Sequence, residues 1–369
     1  MRNFELRDEH GGVAGEASSK PCCAPPTPRL HEGPMTEFVL ESSTPHTALS
    51  HLALYGLAAI LDDAGHRITL SWTTGMDPRP VIHSDLEPDQ IGETVHAHAA
   101  RRAENGWLHE DFDVGARTVA LMSPRISKLS ESDWPRLQRR RHEALDALTQ
   151  DGSRLDLRLI AALGEPCYWS KTPKREIRQD DAASRWEMQP RNQGSEFVKS
   201  RLRPLATHVS SRSSRQIVNG LTGASTVDGL GKGRTATGLA PLGPTDDALA
   251  WCGLWGISQL PTTHRFGGRS RTTGHQGPAT GGTMTLPAWT RPWTLGRLRT
   301  LLGCPQLATF ANPESSDLDR DIVRAWLAER HIVAAVRFPI HRYGTDQAPE
   351  RRTQHGTILS TQPPAHDEP

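Results

Sequence analysis

Alternation of apolar and polar positions predicts three strands near the start of the chain, over Thr36 to Leu40, Arg67 to Trp72 and Arg79 to His83. His46 to Ala64 predicts a helix, with Thr44 as its cap and Gly65 as its stop. Asp89 to Glu104 predicts a polar helix with Ile91 and Val95 on one face. Trp107 to Val114 and Thr118 to Met122 predict a hairpin around Gly115. Asp133 to Leu148 predicts an amphipathic helix with Trp134, Leu137, Leu145 and Leu148 inward. Leu155 to Leu163 is mostly apolar and fits a strand or a buried helix equally well.

The second half starts with a polar loop over Lys171 to Asp181. Glu196 to Val209 predicts a helix with Phe197, Val198, Leu202 and Leu205 inward and Lys199, Arg201 and Arg203 outward. Pro204 should kink or split it, because proline removes a helix hydrogen bond. Ile217 to Leu221 predicts a short helix or turn, and Asp246 to Leu260 an apolar helix carrying Trp251 and Trp255. Thr294 to Leu302 and Leu318 to Arg330 predict helices; Val333 to Arg342 and Thr357 to Ser360 predict strands. Residues 222–244 and 262–283 are Gly-rich and predict long flexible loops.

One internal echo stands out. Leu54-Tyr55-Gly56-Leu57-Ala58-Ala59-Ile60 resembles Leu254-Trp255-Gly256-Ile257-Ser258-Gln259-Leu260. Glycine inside a buried helix costs about 1 kcal/mol against alanine and marks close approach to another backbone. The echo fits two related half-domains or two ordinary core helices.

Together these elements predict an α+β fold in two parts, with mixed or antiparallel sheets, helices and long Gly/Pro-rich loops. The expected divisions are a disordered extension over 1–34, an acidic domain over 35–165, a basic domain over 166–361 and a disordered tail over 362–369. Met35 directly precedes the first patterned segment, so translation from Met1 or from Met35 are both open.

Charge sharpens this division. The chain of 369 residues carries a net charge of only +1. Thr36 to Glu165, however, holds 13 Lys and Arg against 20 Asp and Glu, and Pro166 to Pro313 holds 19 against 8. Ala248 to Pro313 has no acidic residue, where the chain average would place about seven. Arginines there must pair with the acidic half, stay solvated or meet an anionic partner. Extended basic surfaces attract polyphosphates and release their counterions, which puts a nucleic acid first among partners. Candidate phosphate contacts are Lys199, Arg201, Arg203, Arg212, Arg215, Lys232, Arg234, Arg269, Arg271 and Arg291. Arg and aromatic residues interleave at Arg185-Trp186, Arg265-Phe266 and Trp289-Thr290-Arg291-Pro292-Trp293, where indoles either stack on unpaired bases or belong to the core.

Other chemistry finds little footing. Gly229-Leu230-Gly231-Lys232-Gly233-Arg234-Thr235 is not a phosphate-binding P-loop, since Thr226 stands where its first Gly belongs and Gly233 follows the Lys. His96 and His98 are two apart on a helix and face different sides. The five cysteines show no CxxC or Cys/His spacing, so neither a zinc site nor a disulfide framework is expected. No nucleophile, base and orienting group stand out together, and no catalytic, cofactor or metal residue is assigned. A nuclease would need carboxylates beside the basic surface, for which Glu187, Glu196 and Asp228 are the candidates. No apolar run approaches the roughly 20 residues that span a bilayer, and residues 1–35 lack the apolar core of a signal peptide. A cytoplasmic protein without a membrane partner is expected.

Several segments carry a resemblance. These are His51-Leu52-Ala53-Leu54-Tyr55-Gly56-Leu57, Ser184-Arg185-Trp186-Glu187, Gly194-Ser195-Glu196-Phe197-Val198 and Leu249 to Pro261. Thr285-Leu286-Pro287 and Arg291-Pro292-Trp293-Thr294-Leu295 complete the set. Spread over about residues 36–310, they resemble the small large-subunit-like protein of type I-U (I-G) CRISPR–Cas interference complexes. The resemblance implies a non-catalytic subunit of an RNA-guided antiviral complex, touching guide RNA, target DNA or both, beside other complex subunits. In such complexes base pairing reads the sequence while protein reads backbone shape or a short adjacent motif. The alternatives from the residues alone are a nucleic-acid-processing enzyme, or a structural protein whose acidic and basic halves neutralise each other.

Overall fold

Two helices that are apolar all round organise the molecule, because such helices have no face to give to water. In the computed structural model, α1 (Ala48–Asp63) is buried from Ala48 through Leu61, and α7 (Asp247–Gly256) is buried at all but one position. The structure describes residues 35–123, 126, 129–163, 169–171, 177–179, 197–229, 237–241, 243–260, 262–263, 271–276, 282–345 and 348–362. The expected extension 1–34 and most of the expected tail lie outside them.

The two echoed segments pack on each other. A Cβ on Gly56 would overlap the Cys252 carbonyl and the Gly256 nitrogen, and a Cβ on Gly256 would overlap the Leu52 carbonyl. Each glycine thus faces the carbonyl one turn before the other, in a reciprocal crossing of two backbones. Larger residues at either position would hold the helices apart.

Two antiparallel sheets flank this pair. The first has the order β1–β3–β2, with β1 at Thr36–Val39, β2 at Thr69–Trp72 and β3 at Pro80–Ser84. The second runs β10 (His275–Gln276), β11 (Thr283–Trp289), β12 (Ile332–Thr345), β13 (Ala348–Thr353), with β14 (Thr357–Ser360) also pairing β12. A backbone bridge joins the sheets: Leu70 and Trp293 exchange two N–H···O bonds of 2.9 Å, and Trp289 Nε1 donates to Leu70 O. Around the core lie α2 (Pro88–Glu104), the hairpin β4 (Asp111–Val114) and β5 (Arg117–Ala120), α3 (Asp133–Gln150) and α4 (Arg154–Ala162). Then come α5 (Arg203–Ser210), α6 (Ser214–Thr222), α8 (Leu295–Leu302), α9 (Pro305–Ala311) and α10 (Asp317–Glu329).

The fold is α+β with antiparallel sheets, in line with the pattern. The charge boundary at 165/166 does not divide the core. Described residues from Met35 onward share one hydrophobic cluster, and its central contact joins α1 of the acidic segment to α7 of the basic one. Local differences have local causes. The cap of α1 is Thr47, not Thr44: Thr47 Oγ1 accepts from Ser50 N, while the Thr44 N–H is taken by Ser50 Oγ. The ambiguous run 155–163 is helical, because Leu155, Asp156, Leu159 and Ile160 share one buried face. The expected loop 171–181 contains β7 (Ile177–Gln179), paired with β6 (Trp169–Lys171). The expected loop 262–283 includes β8 (Thr262–Thr263) paired with β9 (Arg271–Thr272). Strand β11 escaped the pattern because Pro287 argues against a sheet interior. It is tolerated because β10 pairs only with Thr283 and Met284.

Candidate nucleic-acid interface

Pro204 shapes the segment carrying Lys199, Arg201 and Arg203. It sits in the first turn of α5, and the turn before it, Val198–Leu202, is wound as a π-helix. There the Arg203 N–H reaches back to Val198 O, five residues earlier, so the split expected at Pro204 is realised as a π-turn feeding an α-helix. Phe197, Val198, Leu202 and Leu205 are buried, as their spacing predicts.

The predicted basic residues divide sharply. Lys199 is exposed, with Nζ 3.4 Å from Thr118 O, and Arg215 is exposed on α6. Arg201 is half-buried. Arg203 turns back to the acidic segment, pairing with Asp111 and donating to Leu108 O. Arg212 is buried and pairs at 2.9 Å with Asp246. Arg203 and Arg212 are therefore internal ties rather than surface cations. Single-residue reasoning cannot see this, because Asp111 lies 92 residues from Arg203 and Asp246 lies 34 from Arg212. Arg271 belongs to β9, and Arg291 is exposed just after β11. Lys232, Arg234 and Arg269 lie outside the described residues, as do Glu187 and Glu196.

A carboxylate network anchors both ends of the segment that contains Lys232 and Arg234. Asp246 caps α7 through Ala248 N (2.8 Å) and accepts from Val227 N (2.9 Å). Asp247 accepts from Gly229 N (3.1 Å) and lies 3.3 Å from His208 Nδ1. Burial raises the Asp247 pKa, with the Gly229 N–H and His208 pulling the other way. Asp228, the one described carboxylate of the nuclease alternative, accepts from Thr245 N (3.3 Å). These acids hold backbone. Among the described residues no group of three or more His, Cys, Asp or Glu is arranged to hold a metal ion.

The acid-free stretch behaves differently. Trp289 and Trp293 stack in the core at 4.4 Å and 9°, so they are packing residues rather than platforms for bases. Trp186 and Phe266 lie outside the described residues. Arg297 of α8 lies 4.8 Å over the Trp293 ring and donates to Arg330 O (3.3 Å). Arg299 donates to Gln259 Oε1 (2.8 Å); its pKa is lowered by burial and then by Arg158, with Asp62 opposing. Among the described residues, none of Arg291, Arg297 and Arg299 forms an ion pair with a carboxylate. Arg297, Arg299 and Arg158 were not singled out from sequence. The first two lie in the acid-free stretch that could have flagged them; Arg158 is hidden inside an acidic segment.

A second polar centre went unnoticed in the sequence. Arg102 of α2 pairs bidentately with Asp156 of α4 (2.9 and 2.6 Å), and Trp107 Nε1 donates to the same carboxylate (2.6 Å). The guanidinium lies 4.4 Å over Trp255 and donates to His98 O. His98 itself accepts from Trp251 Nε1 (3.1 Å). No helix of the described residues is long and apolar enough to cross a membrane. Comparison with protein-family models, with curated proteins and with solved structures finds no match for this chain.

Proposed function

We propose that this protein is a non-catalytic nucleic-acid-binding subunit of an RNA-guided antiviral complex of the CRISPR interference type, which its sequence segments resemble. The observation that carries the binding part of this reading is that, among the described residues, no carboxylate forms an ion pair with Arg291, Arg297 or Arg299. Arg203 and Arg212 meet the carboxylates that neutralise them. The acid-free stretch keeps its charge, and Arg158 adds to it beside Arg299. Lys199 and Arg215 supply further exposed cations. Such charge favours phosphodiester backbone, whose counterions are released on contact. The partners under this reading are guide RNA or target DNA and neighbouring complex subunits, in the cytoplasm.

A salt titration of oligonucleotide binding tests the reading. Binding should weaken linearly in log–log form, and Arg291→Ala, Arg297→Ala and Arg299→Ala together should lower the slope by about three, since each phosphate contact contributes about one. Absence of salt-dependent binding would favour the structural alternative, for which the Arg203–Asp111 tie between the two charge segments speaks. Metal-dependent cleavage by the purified chain would favour the nuclease alternative.

A further inference from the structure

The chain passes from α10 into β12 through only two residues, Arg330 and His331. A left-handed residue just past a helix end lets the backbone turn this sharply, and the place usually falls to glycine. Here it falls to His331, whose N–H bonds Ala328 O (2.9 Å) and whose φ is 62°. Among the described residues this is the one positive φ of a non-glycine. A side chain there costs stability that glycine would spare, and such strain gathers at functional sites.

Cations converge on this turn. The Arg330 guanidinium lies 3.7 Å over the ring of Trp326, one turn back on α10, and donates to Trp326 O (2.8 Å). From α8, the exposed Arg297 donates to Arg330 O (3.3 Å). Just after β11, Thr290 N donates to His331 O (3.4 Å), which sets the exposed Arg291 beside the turn. Among the described residues, Glu329 is the one carboxylate paired within this group, 3.4 Å from Arg330 Nη1 and with a mostly exposed side chain. So exposed a pair is worth little, and three arginines against one glutamate leave the turn positive.

This set of side chains narrows the partner. Trp326 covers one face of the guanidinium, yet the Arg330 side chain stays 34% exposed. A guanidinium plane takes a stacked base, and guanidinium and imidazole N–H groups take phosphate. A small anion would use the charge but not the plane. Bases inside a duplex keep their faces against one another. We propose that this turn is a contact point for unpaired single strands: a base stacks on the Arg330–Trp326 pair, and the adjoining phosphate lies against Arg291, Arg297 and His331. The inference rests on the nucleic-acid reading above and narrows its partner to single-stranded DNA or RNA.

Fluorescence anisotropy of the full chain with labelled strands of about 12 nucleotides tests it. A thymidine DNA strand and a uridine RNA strand are each compared with an abasic strand of the same sugar, length and charge. The base-bearing strand should bind about fivefold tighter or more, the effect of one stacked base. A preference in DNA or in RNA supports the inference and assigns the sugar; a preference in neither overturns it. Arg330→Lys keeps the charge and loses the plane, so it should erase the preference while leaving the salt slope for the abasic strand unchanged. A preference that survives Arg330→Lys also overturns the inference. His331→Gly relieves the backbone, so it should hold or raise the melting temperature while weakening binding of both kinds of strand. Unchanged affinity in His331→Gly overturns the placing of phosphate at this turn. Salt-dependent binding without a base preference sinks this inference and leaves the proposed function standing; no binding of any strand sinks both.

Discussion

A methyl group at Gly56 or Gly256 has nowhere to go, because each faces a carbonyl on the opposing helix. Neither carbonyl can move without its helix, so the strain must separate α1 from α7. Gly56→Ala should cost about 3 kcal/mol or more in urea unfolding. Gly296 is the control: it is exposed in α8 with nothing nearer a Cβ than Thr294 Oγ1 at 3.8 Å. Gly296→Ala should stabilise by about 0.5 kcal/mol by restricting the unfolded chain. His51 gives a pH signature at the same scale. It is buried between Trp72 and Phe338, bonded through Nε2 to Pro45 O, and burial lowers its pKa to about 4. The unfolded chain takes a proton near pH 6.5 and the folded one does not. Stability is therefore complete above pH 6.5 and falls as pH drops towards 4, by about 3 kcal/mol from this residue. His51→Gln retains a donor for Pro45 O and should flatten that slope in urea melts across this range.

At the scale of elements, the Arg102–Asp156 pair locks α2 to α4 with both side chains nearly fully buried. A buried pair is a poor source of net stability, yet losing one member strands the other charge. Asp156→Ala should cost about 3–5 kcal/mol, and it also removes the acceptor of Trp107 Nε1. Replacing both partners, as Arg102→Met with Asp156→Leu, should cost much less than the sum of the single changes. Denaturant midpoints of the three variants check this; additive losses would mean that the two residues act independently.

For the whole molecule, the charge segregation has two separable consequences. Arg203 and Arg212 tie the fold together through carboxylates, whereas Arg291, Arg297 and Arg299 form no ion pair with a carboxylate among the described residues. Arg212→Ala leaves Asp246 buried without its cation and should cost about 3 kcal/mol of stability. Oligonucleotide affinity per folded molecule should stay unchanged. The triple arginine change should weaken binding about equally across sequences, at a smaller stability cost than Arg212→Ala because it removes hydrogen bonds to neutral acceptors and a ring contact rather than the cation of a buried carboxylate. If Arg212→Ala alone weakens binding of the folded protein, the division between internal and presented arginines is wrong.

What the sequence determined is whatever depends on neighbours along the chain. Period-two and helical patterns located β1 to β3, α2, α3 and the β4–β5 hairpin, whose turn at Gly115 has φ of 58°. Gly56 and Gly256 announced close packing because a buried helical glycine is costly without it. The acid-free stretch foretold arginines without local carboxylates. Tertiary structure decided everything that needs a partner far along the chain. It chose which helix each glycine meets and made the run at 155–163 a helix by giving it one buried face. It gave Arg203 to Asp111 and Arg212 to Asp246. His98 shows the limit best: a lone histidine on a polar helix carries no signal by itself. Only when Trp251 is brought to its Nδ1 across the core does the opposite nitrogen become a donor without an acceptor.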